Sequence, residues 1–375
     1  MNLQALLLVA ASMTARTTAE FTVTSGTTEA TTSSTEHVSF VKQWTLNSAA
    51  TGDHIDSIDL DLAGRVYVSY VSGLPSGVLG YVNVSGDSQT VVDAVTVGND
   101  DTNDNDDNDN GDTNDRDGEL NVRIGNSTST TLSGYLLTEI FLASSGIVTD
   151  VKSQRSAQVV VEDGVLVSSS TTAELQVEAS GSSAVYVSAA STAVSVRQLH
   201  LDAAGTARLQ FNVASVSATE DVQIDAQGSA GVSLLGSSVE TATLELEAQN
   251  TGTICISSQT VTAASYEGQD ASRISMPNAS NKFTSTGSTA CDESTVPARE
   301  PACVSPACAT SSTSGTTAGT AGSSANTTAA GTTAPTTAND DDANDDINDD
   351  TSASSTPRLA ALAAAAIGMA TAVLL

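Results

Sequence analysis

Between Leu175 and Ile256 one phrase recurs four times: LQVEASGSSAVYV, LHLDAAGTARLQF, VQIDAQGSAGVSL and LELEAQNTGTICI. The copies begin at Leu175, Leu199, Val222 and Leu244, so successive starts are 24, 23 and 22 residues apart. Each copy reads apolar, polar, apolar, acid, then a turn of four or five residues, then apolar, polar, apolar again. Period-2 alternation on both sides of a turn predicts two short strands, each with one buried face. A unit of this size cannot bury that face alone and does so by stacking on its neighbours. The expected fold is all-β, a right-handed parallel β-helix. In that register Val177, Leu201, Ile224 and Leu246 form one inward ladder, while Gln176, His200, Gln223 and Glu245 face out. Gly181, Gly205 and Gly228 share one turn position and Asn250 holds it in the fourth copy, which keeps to residues that tolerate left-handed backbone angles. A looser unit, IVTDVKSQRSAQVVV, precedes the four, with Val151 in the place of Val177 and Val159 in that of Val185.

Outside the repeats the chain divides by composition. Residues 1–19, with LLLVAA at 6–11 and small residues near Ala15 and Ala19, read as a secretory signal peptide, although its start carries no Lys or Arg. Residues 20–36 are Thr/Ser-rich and read as a disordered or O-glycosylated lead-in. Apolar alternation then recurs from 37 to 290, the expected head, interrupted by an Asp/Asn-rich insertion at 99–119. Residues 291–357 hold three cysteines and then a Thr/Ser/Asp-rich stalk that cannot bury a core. Leu359–Leu375 is an uncharged run that follows small residues and a short polar spacer. It fits a GPI-attachment signal over 358–375, with Asp350 or Ser352 as the attachment residue. The competing reading is a short tail-anchoring helix, but a spanning helix needs ~20 apolar residues. Either reading leaves the body outside the cell.

Other features fit that address. Sequons stand at Asn83, Asn126, Asn278 and Asn326. The four cysteines, Cys255, Cys291, Cys303 and Cys308, are expected as disulfides in an oxidising compartment, pairing 255 with 291 and 303 with 308. CVSPAC lacks CxxC spacing and a nearby histidine, which argues against zinc.

The β-pairs around a Gly-containing turn (VEASGSS, LDAAGTA, IDAQGSA) and the segment IDSIDLDLAGRVYV resemble the family named "putative auto-transporter adhesin head GIN domain". The resemblance spans roughly residues 40–260 and leaves out the insertion at 99–119. It implies a β-helical head on a cell-surface protein and carries no catalytic residues.

Chemistry must be sought in the acids. The net charge is −31, with ten carboxylates between Asp100 and Glu119 and seven between Asp340 and Asp350. A surface of that sign repels phosphate and excludes nucleic acid as a partner. Asp106, Asn108, Asn110, Gly111 and Asp117 fall at positions 1, 3, 5, 6 and 12 of an EF-hand-like loop. Such a match is cheap in an Asp/Asn tract, and no amphipathic helix flanks it. The repeats place Glu178, Asp202, Asp225 and Glu247 in one outward column, with Lys152 one coil earlier. Strands ~4.8 Å apart would make those carboxylates repel unless water, a proton or a cation relieves them. The column is therefore either ordinary solvated surface or a shallow acidic stripe for calcium or a basic partner. No other cofactor is implied.

No nucleophile motif, metalloprotease motif or phosphate loop occurs, and only thirteen residues are basic, few for binding an acidic polysaccharide. The expectation is a non-enzymatic, glycosylated, GPI-anchored surface protein that works in adhesion or cell-wall association on a glycan or protein partner. A passive coat or wall spacer is the alternative, and a carbohydrate-active β-helix enzyme the less favoured one.

Overall fold

The computed structural model describes residues 21–99, 118–125, 132–305 and Cys308. They form a β-solenoid of about five complete turns, extended by two-stranded coils, with almost no helix. Parallel pairing runs in three ladders. The first stacks Glu119–Ile124, Ser57–Leu62, Asp150–Arg155 and then 174–179, 198–203, 221–226, 243–248 and 265–269. The second stacks Tyr135–Leu142, Arg65–Tyr70, Gln158–Glu162, 184–189, 208–212, Gly231–Leu235, Thr253–Ile256 and Ile274–Ser275. These are the two strands that the repeat predicts. The register is the expected one: Val177 pairs with Leu201, Leu201 with Ile224 and Ile224 with Leu246, and all four are buried. Val151 and Val159 pair with Val177 and Val185, so the looser unit is a genuine coil.

The third ladder corrects the expectation of two strands per coil. It comprises 169–170, 193–196, 215–218, 238–241 and 260–263. Its inward residues include Val194, Val216, Val239 and Val261, all buried, separated by Ser, Thr and Ala. One or two valines per strand among small residues carry little period-2 signal, yet stacked in register they close the core's third side.

The turn between the first two ladders is built on left-handed residues. Gly181, Gly205, Gly228 and Asn250 have φ of 69°, 77°, 79° and 57°, and Arg155 takes the same place in the preceding coil at 64°. The turns bond upward, with the Thr206 amide on the Gly181 carbonyl at 2.8 Å and Ser229 on Gly205 at 2.7 Å.

The first coils are not stacked in chain order. Residues 57–70 lie between the coil of 119–142 and that of 150–162, both of which follow them in sequence. The end of the stack beyond 119–142 is covered by antiparallel strands: Phe40–Asn47 pairs with Val78–Gly86, which pairs in turn with Tyr135–Leu142. The expectation of a disordered lead-in over 20–36 is corrected here. Thr22–Ser25 and Glu29–Ala30 pair antiparallel with Phe40–Asn47, and Phe21 is buried. Thr and Val are strand formers, and an edge strand needs only one apolar anchor.

Both expected disulfides, Cys255–Cys291 and Cys303–Cys308, are present. Between them the chain, placed by its composition at the start of a stalk, packs along the outside of the second ladder. The Asp292 amide donates to Ser233 Oγ at 2.8 Å, the Tyr67 hydroxyl donates to the Pro297 carbonyl, and Arg65 donates to the Ala298 carbonyl at 2.6 Å. Arg299 bridges Glu139 and Glu162 at 3.4 and 2.7 Å and lies 4.6 Å from the Tyr67 ring. Ala302 and Cys303 then pair antiparallel with Leu136 and Tyr135. Cys255, Ser233, Tyr186, Val160, Tyr67 and Glu139 belong to one outward column, which this strap follows across the coils. Among the described residues no helix is long and apolar enough to cross a membrane.

Candidate functional site

The outward column of the first ladder runs Asn121, Asp59, Lys152, Glu178, Asp202, Asp225, Glu247 and Gln269. Strand alternation puts these side chains out because their neighbours Val177, Leu201, Ile224 and Leu246 point in. At the start of the column cations answer the acids. Arg123 reaches Asp59 at 3.6 Å, and Arg155 pairs with Asp61. Burial raises the Asp59 carboxyl above its ordinary value while Lys152 and Arg123 pull it back. From Glu178 to Glu247 the column holds four carboxylates in succession with no basic residue among them.

Three of the four are held by side-chain amides. Gln176 donates to Glu178 at 2.6 Å, Gln223 to Asp225 at 2.8 Å and Gln249 to Glu247 at 2.6 Å. Asp202 has carboxylates on both sides. Burial first, then Asp225 and Glu178, push its pKa up to about 6, and His200 opposes the rise. A carboxyl in that state carries a proton for part of the time near neutrality. The four line a shallow groove of about 260 Å³ with Ser180 and Gln249 at its turn side. They are strung along the stack rather than gathered around a point. Among the described residues no group of three or more His, Cys, Asp or Glu side chains closes into a metal-binding cluster.

His200 faces out, as the repeat alignment expects, but it is not isolated. It lies between Glu174 Oε1 at 3.4 Å and Asp221 Oδ2 at 3.1 Å, and Arg197 ties Glu174 to Glu220 at 3.2 and 2.8 Å. The signal for this network was available in the repeat: Glu174, Arg197 and Glu220 are each 23 residues apart, one coil.

The remaining sequence-derived sites divide by position. Asn83 lies on the strand Val78–Gly86 and accepts from Gln43 at 2.8 Å, whereas Asn278 is exposed and bonds Ser257 at 3.1 Å. Asn126, Asn326, Asp350 and Ser352 lie outside the described residues. So do Asp106, Asn108, Asn110 and Asp117. The segments that enter and leave that stretch are antiparallel strands, Val95–Asn99 and Glu119–Ile124, and not the helices of an EF-hand.

No family model matches the chain, and no curated protein matches it. Among solved structures it is similar to the crystal structure of a "putative adhesin" from Parabacteroides merdae. The match covers 63% of this chain and 95% of that one, at 13% identity and a TM-score of 0.24.

Proposed function

We propose that the protein is a glycosylated, GPI-anchored extracellular protein whose β-solenoid head works in adhesion or cell-wall association, without catalysis. The observation that carries the reading is the acidic groove. Glu178, Asp202, Asp225 and Glu247 present a repeating negative charge every coil on one face, with no basic side chain among the four and Lys152 flanking only the Glu178 end. A partner that matches it is a basic protein segment, or a glycan bridged through calcium, both of which gain from a periodic row of carboxylates. Two disulfides support an oxidising, extracellular setting. Binding of the purified full chain to glycan arrays and cell-wall preparations, with and without millimolar calcium, tests the role. Saturable binding lost in Asp202→Asn/Asp225→Asn is expected, and turnover of pectin or glucan would overturn the non-enzymatic reading. Release by a GPI-specific phospholipase tests the anchor separately.

A second reading, a passive coat or wall spacer, has its own support. Gln176, Gln223 and Gln249 already occupy oxygens of Glu178, Asp225 and Glu247. Absence of saturable binding to any surface would favour it.

A further inference from the structure

Solenoid coils hold only to their neighbours, so a pull on the last coil would open the stack one coil at a time. The last coil here, with strands Thr260–Gln269 and Ile274–Ser275, is followed by chain that does not simply leave the body from that end. Cys291 is joined to Cys255, which belongs to the same coil as Glu247, the end of the acidic column. From there the strap crosses every coil to Glu139 and Tyr135 at the other end. It does so in a path close to full extension. From Cys255 to Tyr67, on the coil over which Arg299 lies, the column advances through five coil spacings, about 24 Å at ~4.8 Å each. Eight residues from Cys291 to Arg299 reach at most about 29 Å when fully extended.

We propose that Cys291–Val304 is a tension bypass. Load placed on the coil that ends the acidic groove leaves through Cys255, Cys291 and the strap, and the stacked coils are not peeled. A covalent path protects the stack only if it tightens before the coils separate far, and a strap already near full extension tightens within about one coil spacing. Its seating keeps it extended. Arg299 is held by Glu139, Glu162 and the Ser69 hydroxyl, the last at 2.8 Å, and the Val304 amide donates to the Gly134 carbonyl at 2.9 Å. The proposal rests on the anchored-head reading for the source of the load, but its test needs no membrane, so the two can fail separately.

The test is single-molecule stretching of the purified full chain between a handle at Gln249, exposed on the Glu247 coil, and one at the C-terminal end. The oxidised wild-type chain should lengthen without an unfolding step from residues 256–290. The Cys255→Ser/Cys291→Ser variant should gain a new step. The disulfide closes a separation of 36 residues, worth about 125 Å at ~3.5 Å per residue. Should that variant fail to fold, the wild-type trace decides alone. Low-force steps of one coil's length in the oxidised chain would overturn the proposal, and so would their absence from a folded variant.

Discussion

Gly205 has φ of 77°, and a Cβ built on it would stand 2.7 Å from the Gly181 carbonyl oxygen of the coil below. Two penalties therefore coincide, left-handed backbone strain and a clash with main chain that is itself bonded to Thr206. Gly205→Val should cost on the order of 1–3 kcal/mol through the backbone alone, read as a lowered midpoint in urea. Arg155 and Asn250, at the two ends of the row, adopt the same left-handed angle while carrying side chains. Asp202 is the other informative residue. Its folded pKa is raised, so the folded state binds the extra proton and the associated stability is fully present below the unfolded value. That stability is lost as pH rises through about 6. In a dry site a displacement of this size would amount to ~3 kcal/mol, but Asp202 keeps contact with water and the effect is on the order of 1 kcal/mol. Asp202→Asn should therefore raise the melting temperature above pH 6 and leave it nearly unchanged below pH 4. An equal gain at both extremes would place the effect elsewhere than in ionisation. The column was legible from spacing alone. The rise at Asp202 was expected from like charge, yet its first cause is burial, which a repeat alignment does not report.

At the scale of the strand, the alternation of LHLDA placed Leu201 inside and His200 outside, and both are so. Leu201→Asp should unfold the head, because an unpaired buried carboxylate costs several kcal/mol, comparable with a domain's whole margin. His200→Ala should lose the bonds to Glu174 and Asp221 and cost about 1 kcal/mol or less. Circular dichroism melts of the two variants separate the faces. The strands of 193–196 and 215–218 escaped sequence reading because Ser, Ala and Thr dilute their valines. The strap escaped for a different reason: CDESTVPAR has no alternation, and its contacts are backbone groups joined by scattered side chains such as Val296 and Arg299. Its disulfide was anticipated, its path was not. Loss of Cys255–Cys291 by paired serine substitution should cost ~2–4 kcal/mol, as expected for releasing a loop of this size, with the largest rise in hydrogen exchange over 260–290.

For the molecule as a whole, the repeats from 174 onward contact their immediate successors, with bonded partners 21 to 25 residues apart. The coil of 57–70 differs. Ser57 bonds Asp150 across 93 residues, and the strand's other neighbour begins at Glu119. A ribosome delivers 57–70 early, yet both surfaces that sandwich it arrive later, so this coil waits unstacked while its sequel is made. Closing loops of that length slows assembly. The regular coils should gain amide protection first in pulsed hydrogen exchange, and 57–70 together with 119–162 should follow in a slower phase. A chain ending at residue 145 should show no cooperative melt. On that expectation the order of birth and the order of folding are inverted, and the coil made first is among the last to be finished.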